Sequence, residues 1–229
     1  MSQTQFHEFL RNIDKDPIRL LDEQFKSSDY IPIDLSTNNK QLQDIDVSSS
    51  EALDAYIFGH IKENDASIGY GGYNEIRGIY DRAENFKAEE GEEKRNIHLG
   101  MDIWAEAETK IYAPLEGRVH SYRNNGEFGD YGPTIILEHK MEEFVFYTLY
   151  GHLSLDSMEK MFVGKKIKQG KKIGKLGDSS VNGDYPPHLH LQIIRNIENY
   201  QGDYPGVCSQ KNLEFYLDNC PDPNLLLKL

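Results

Sequence analysis

Histidine, of which the chain has eight, is where its chemistry could reside, and two stretches pair it with a second donor at a spacing that a metal needs. His98-Leu-Gly-Met-Asp102 sets an imidazole and a carboxylate four residues apart, which in an extended strand is two side-chain periods and hence one face. His188-Leu-His190 sets two imidazoles one period apart, again on one face, while His152 stands alone in Tyr150-Gly-His-Leu-Ser154. Neutral imidazole and carboxylate suit zinc in a catalytic site, where three protein groups leave a fourth position for water. Zinc lowers the pKa of that water from about 16 towards about 7, so hydroxide can attack a carbonyl while a neighbouring histidine manages the proton. Isolated histidines carry no such weight. His60 on a helical face, and His120 and His139 in strand-like runs, read as satisfied core or surface residues.

Strands must hold the donors. From about Ser67 the chain turns rich in Gly, Tyr and β-branched residues, starting with Ile68-Gly-Tyr-Gly-Gly-Tyr73, and short alternating runs follow. Strands are expected over Leu99 to Trp104, Lys110 to Ala113, Gly117 to Tyr122, Thr134 to His139, Glu143 to Leu149 and Leu189 to Ile194. Turn signals separate them at Asn124-Asn125-Gly126, Asp130-Tyr-Gly-Pro133 and Asn182-Gly183-Asp184. Gly164 to Gly177 holds two glycine-punctuated runs with lysines opposite Ile167, Ile173 and Leu176, read as solvated strand edges.

The first sixty-odd residues differ, because their apolar positions recur at three and four. Phe6, Phe9 and Leu10 mark a short helix, and Ile18, Leu20, Leu21 and Phe25 a second after Pro17. The clearest helix follows Ser48, with Glu51 placed as in a capping box and Leu53, Tyr56, Ile57, His60 and Ile61 along one face to about Asn64. Ser36 to Asp46 and the charged Lys87 to Arg95 read as loops. The expected architecture is mainly β (α+β): an antiparallel β domain over 66–229 behind a helical extension over 1–65.

The 229 residues suffice for a core without disulfides, and 38% hydrophobic content with 14 Tyr and 10 Phe excludes wholesale disorder. Twenty-five basic against thirty-eight acidic side chains leave a formal charge of -13, which repels phosphates and anionic head groups, so neither nucleic acid nor a membrane is expected as partner. Apolar runs such as Leu225-Leu226-Leu227 fall far short of the roughly 20 residues that span a bilayer. The first residues lack the pattern of a secretory signal, so a cytoplasmic location is expected. Cys208 and Cys220 read as free thiols, open to alkylation in the native chain.

In order and separation, His98-x-x-x-Asp102, Gly151-His152-Leu153-Ser154 and Pro187-His188-Leu189-His190 resemble the signature of LytM-type M23 zinc peptidases. Tyr112-Ala-Pro-Leu-Glu-Gly-Arg-Val119 is similar to the strand pair after that family's first motif, and the likeness covers about 96–196. It implies the duplicated-hybrid groove fold, with Zn²⁺ held by His98, Asp102 and His190. It implies too that His152 and His188 flank the metal and handle the proton, and that Tyr131 donates to the oxyanion. The implied activity is hydrolysis of a peptide amide bond, with a peptide or muropeptide from peptidoglycan as substrate.

Two departures bear on the substrate: the stretch Asp178 to Pro187 is longer than the family's usual turn, and Leu191-Gln192 stands where Phe-Glu is common. The segments from Gly202 and Cys220 resemble M23-like domains of larger cytosolic proteins. In some relatives an N-terminal segment supplies a fourth ligand, a part open to Asn74 in Tyr70-Gly-Gly-Tyr-Asn74; the favoured reading is that the segment builds a wall of the groove. A biotinyl or lipoyl carrier shares some of the turn pattern, but no Met-Lys-Met triplet is present. The alternative is a catalytically inactive, regulatory LytM-like domain that binds a partner, which the intact His152 and His188 disfavour.

Overall fold

The computed structural model describes residues 2–13, 18–22, 24–83 and 93–229. In chain order its strands are β1 (Tyr30–Pro32), β2 (Ile68–Gly71), β3 (Glu75–Ile76), β4 (Ile97–His98), β5 (Met101–Trp104), β6 (Lys110–Tyr112) and β7 (Gly117–Asn125). There follow β8 (Gly132–Met141), β9 (Phe144–Gly151), β10 (Lys166–Ile167), β11 (Lys172–Lys175), β12 (His188–Ile194) and β13 (Val207–Cys208). The α-helices are α1 (Gln3–Asn12), α2 (Ser50–Glu63), α3 (Leu213–Asn219) and α4 (Asn224–Leu227). The chain is mainly β, and among the described residues every strand pair is antiparallel except β1 with β2. Among the described residues no helix is long and apolar enough to cross a membrane.

One eight-stranded sheet runs β1-β2-β5-β12-β9-β8-β7-β10, flanked by the pair β11-β6 and the small sheet β13-β4-β3. The outer strand β7 alternates buried and exposed along much of its length, the mark of a sheet with one wet face. The inner strands β5 and β12 are buried throughout. Their odd positions Met101, Ile103, Leu189 and Leu191 join a core with Ile135, Leu137 and Tyr150 on one face. Asp102, Trp104, His188 and His190 must then occupy the other.

A second apolar cluster covers that other face: Leu53, Ile57 and Ile61 of α2 pack with Ile33, Leu35, Tyr80, Trp104 and Tyr185. The helix α2 is capped one residue later than the sequence indicates, since it is the Ser49 hydroxyl that accepts from Ala52 N–H, and it closes at Asn64 as expected. Helix α1 lays Phe6 and Leu10 against Phe144, Phe146 and Ile193, with Phe9 stacked on Phe144 at 4.3 Å.

The helix expected over Ile18 to Phe25 is not formed. Ile18, Leu20 and Leu21 are buried on non-helical chain, and the Leu20 carbonyl accepts from Tyr112 N–H, so this stretch covers the edge of β6 instead. Pro17, and 87–92 of the charged stretch Lys87 to Arg95, lie outside the described residues. Cys208 and Cys220 are free, as expected, but both are buried, and burial pushes their thiols up to about 11 and about 12. Native alkylation is therefore not the expected behaviour after all.

Candidate metal centre

The pairing of β5 with β12 sets His190 directly opposite Asp102 and His188 opposite Trp104. Cross-strand neighbours on one face have Cβ atoms about 4.5–5.5 Å apart, so the register alone brings an imidazole onto a carboxylate. His98 arrives from the small sheet, where β4 is held between Glu75 of β3 and Val207 of β13. His190 Nδ1 lies 3.2 Å from Asp102 Oδ1, His98 Nε2 3.3 Å from the same oxygen, and the two ring nitrogens 2.9 Å apart. All three side chains are buried.

Outer hydrogen bonds fix which nitrogen of each ring is bare. His98 Nδ1–H donates to the Gly72 carbonyl at 2.8 Å, which leaves Nε2 unprotonated in the neutral ring. Gln192 donates its amide N–H to the Pro205 carbonyl, so its Oε1 faces His190 and accepts from His190 Nε2–H at 3.0 Å. In the neutral ring this leaves His190 Nδ1 bare as well. Two lone pairs and a carboxylate oxygen converge, and none of them has a proton to offer the others. Burial lowers His98 to about 4, so the ring is neutral at pH 7. Burial opposes the Asp102 charge too, but His98 and Arg77 outweigh it and hold the carboxyl well below its usual range.

Such a set asks for a cation. Tetrahedral zinc with bonds of about 2.0–2.1 Å wants its ligand atoms roughly 3.3 Å apart, and two nitrogens with one carboxylate oxygen is a catalytic donor set. The spacings of 2.9, 3.2 and 3.3 Å meet that requirement within a few tenths of an ångström. The residues present fit the ion.

Two more imidazoles flank it. His188 Nδ1–H donates to the Pro186 carbonyl and His152 Nδ1–H to the Asn182 carbonyl, each at 2.7 Å, so both keep Nε2 bare. His188 Nε2 is 3.8 Å from Asp102 Oδ1, and the two rings lie 4.1 Å apart between centroids. Burial lowers both below the ordinary histidine value, so they are neutral bases. His152 reaches this place through a left-handed backbone, φ 60°, which costs a non-glycine residue about 1–2 kcal/mol. Tyr131 packs on His152 and His190 at 5.6 and 5.0 Å, yet its hydroxyl donates to the Tyr204 carbonyl at 3.1 Å. To reach an oxyanion it must exchange that acceptor.

The site opens into a cavity of about 400 Å³. Leu35, Leu53 and Ile57 line one side of it, so the N-terminal segment does form a wall. Asn74 is exposed, and the part of its stretch that touches the cluster is the Gly72 carbonyl, on His98.

Several contributors were not found from the sequence. Trp104 stacks on His188 at 6.1 Å and 27°, and Arg77, 4% exposed, reaches Asp102. A period of two along β5 puts Trp104 on the Asp102 face; Arg77 sits beyond a two-residue strand too short to show any period.

Residues 96–202 match peptidase family M23. No curated protein matches the chain. Among solved structures it is similar to the antimicrobial peptidase lysostaphin from Staphylococcus simulans, at 26% identity over 57% of this chain and 44% of that one, with a TM-score of 0.39. A zinc-containing peptidase from Vibrio cholerae shares 26% identity over 48% of this chain and 32% of that one, TM-score 0.35. A protein described as a peptidase M23, from Pseudomonas aeruginosa, shares 22% over 57% and 43%, TM-score 0.39. The match spans less than half the length of each of the three.

Proposed function

We propose, from the match of residues 96–202 to peptidase family M23, that the chain is a zinc-dependent metallopeptidase that hydrolyses a peptide amide bond, with peptidoglycan-derived muropeptides as substrate class. The observation that carries this is the convergence of bare His98 Nε2, bare His190 Nδ1 and Asp102 Oδ1 beside two further neutral imidazoles. When bound there, zinc supplies a Lewis acid and a water acidified towards neutrality.

The protein's own groups do the rest. His98, Asp102 and His190 would hold the ion, each oriented by a partner outside that set. His152 and His188 offer bare Nε2 atoms with lowered proton affinity, suited to taking a proton from the attacking water and passing it to the leaving amine. Tyr131 is placed beside His190, and its hydroxyl is the candidate oxyanion donor once released from Tyr204. Leu35, Leu53 and Ile57 offer an apolar wall, and Glu127, Asp130 and Asp203 an acidic side, which favours a peptide that carries a free amine.

Changing His98, Asp102 or His190 to Ala should remove both zinc and hydrolysis. His152→Ala and His188→Ala should keep zinc and lose about 10²–10⁴ in turnover, the worth of a positioned acid–base group. The assay is metal content by mass spectrometry, then incubation with glycyl, D-amino-acid and cross-linked muropeptide substrates. Full zinc in all three ligand variants refutes the site. Zinc binding with a blank panel refutes the peptidase reading and favours a domain that binds a partner without hydrolysis.

A further inference from the structure

The Asp102 carboxylate has two oxygens, and only one of them faces the histidines. The other, Oδ2, accepts from Arg77 Nη1 at 2.5 Å. Arg77 Nε in turn donates to Glu75 Oε2 at 2.5 Å, and Glu75 Oε1 accepts from the Leu35 N–H at 3.0 Å. The side chains of Arg77 and Asp102 are 5% and 3% exposed, and that of Glu75 11%. A continuous chain of polar contacts thus runs from the cavity wall, through Glu75 and Arg77, to a metal ligand.

Its electrostatics are specific. A guanidinium taken out of water on its own is strongly disfavoured, and here it is placed between two carboxylates in a fixed fork that an ammonium cannot reproduce. Glu75 and Asp102 approach Arg77 equally closely, so the guanidinium charge is shared and Asp102 divides its own between the guanidinium and whatever occupies the metal site. With Oδ2 engaged, the carboxylate can ligate through Oδ1 alone, and that oxygen is aimed at His98 Nε2 and His190 Nδ1. Outer-shell partners of this kind typically alter metal affinity 10- to 100-fold.

We infer that Glu75 and Arg77 form a positioning pair that fixes Asp102 as a one-oxygen ligand and thereby sets both the affinity and the coordination number of the metal. The inference rests on the proposed zinc site and adds to it two residues, neither of which would touch the ion. Tethered to Leu35, the pair also makes the N-terminal segment part of the metal centre's support and not only its cover.

The test replaces Arg77 with the uncharged, similarly long Met. Removing one partner of a buried pair can itself impair folding, so the double variant Glu75→Gln/Arg77→Met, which removes both charges together, is made beside it. Zinc affinity is read by chelator competition. Coordination is read on the cobalt(II)-substituted proteins, whose visible d–d absorption is intense for four ligands and weak for five or six. Arg77→Met should bind zinc 10- to 100-fold more weakly and show weakened cobalt bands as the freed Oδ2 joins the ion. The double variant should recover thermal stability without recovering either property, and Arg77→Lys should rescue neither. Wild-type affinity and cobalt bands in the double variant overturn the inference and leave the metal site standing. A wild-type chain that takes no zinc overturns the site itself, and this inference with it.

Discussion

Gly100 lies midway between two ligands in His98-Leu-Gly-Met-Asp102, and a methyl group there tests the geometry of the site from outside it. A Cβ on Gly100 would stand 2.5 Å from His190 Cε1 and Nε2 and 2.8 Å from the Leu191 carbonyl. None of these atoms is a flexible end: the ring is held through Nε2 by Gln192 and the carbonyl belongs to β12. To restore ordinary contact the ring must move by roughly 1 Å, and overpacking of this kind costs about 1–3 kcal/mol. If that cost falls on the seating of His190, at about 1.4 kcal/mol per tenfold, zinc affinity drops roughly 5- to 150-fold. The measurement is chelator competition on wild type and Gly100→Ala, with far-UV circular dichroism to show that the variant is folded. Met101→Leu, a volume-conserving change on the opposite face, is the control and should leave affinity unchanged. Gly100→Ala with wild-type zinc affinity would refute the reasoning, because His190 would then have either room to spare or no part in holding the ion.

Two further outcomes follow from groups away from the metal. His139 is buried, donates Nδ1–H to the Glu116 carbonyl and accepts at Nε2 from Thr148, and burial lowers it to about 4. Between that value and the ordinary 6.5 the unfolded chain binds the proton and the folded one does not. Stability should therefore fall as pH drops from about 6.5 towards about 4, by about 3 kcal/mol from this residue; urea midpoints should show a shallower pH slope in His139→Gln, and an equal slope would count against a neutral buried ring. Iodoacetamide near pH 8 should label neither Cys208 nor Cys220 in the folded chain and both after unfolding in urea, and two labels on the folded chain, read by intact mass, would contradict their burial.

What could be read from the sequence is what a period of two encodes. His188 with His190 announces a shared face because β12 is long enough for alternation to show, and the antiparallel domain follows from similar runs; His98 and Asp102, expected on one face of one strand, instead come from β4 and β5 of different sheets and meet only in the fold. Arg77, Gly72 and Gln192 orient the ligands through contacts 25, 26 and 2 residues away. The first two flank β3, Arg77 just after it and Gly72 before it, where two-residue pairing leaves no pattern to detect. Ile18, Leu20 and Leu21 show the converse error: their spacing satisfies a helical period by accident, since any stretch that covers a sheet edge with a few apolar residues can do so, and the backbone bond to Tyr112 decides the outcome.

A buried cluster of histidines and acids admits a rival explanation, a structural ion pair with one imidazole protonated against Asp102. The burial that surrounds the cluster argues against it. His98 is lowered to about 4 despite Asp102 at 3.3 Å, because burial outweighs the carboxylate and Arg77 already occupies the other oxygen with a permanent charge. A proton on Nε2 would also place an N–H against His190 Nδ1, itself 3.2 Å from the same carboxylate oxygen, so one proton would be divided between two acceptors within a triangle 2.9–3.3 Å on a side. A dication has no such difficulty, since it needs only lone pairs, and here three of them already point inward. The outer bonds to Gly72, Gln192 and Arg77 are what make this arrangement hold before any ion arrives: each takes up the protons or charge that would otherwise let the ligands turn toward one another.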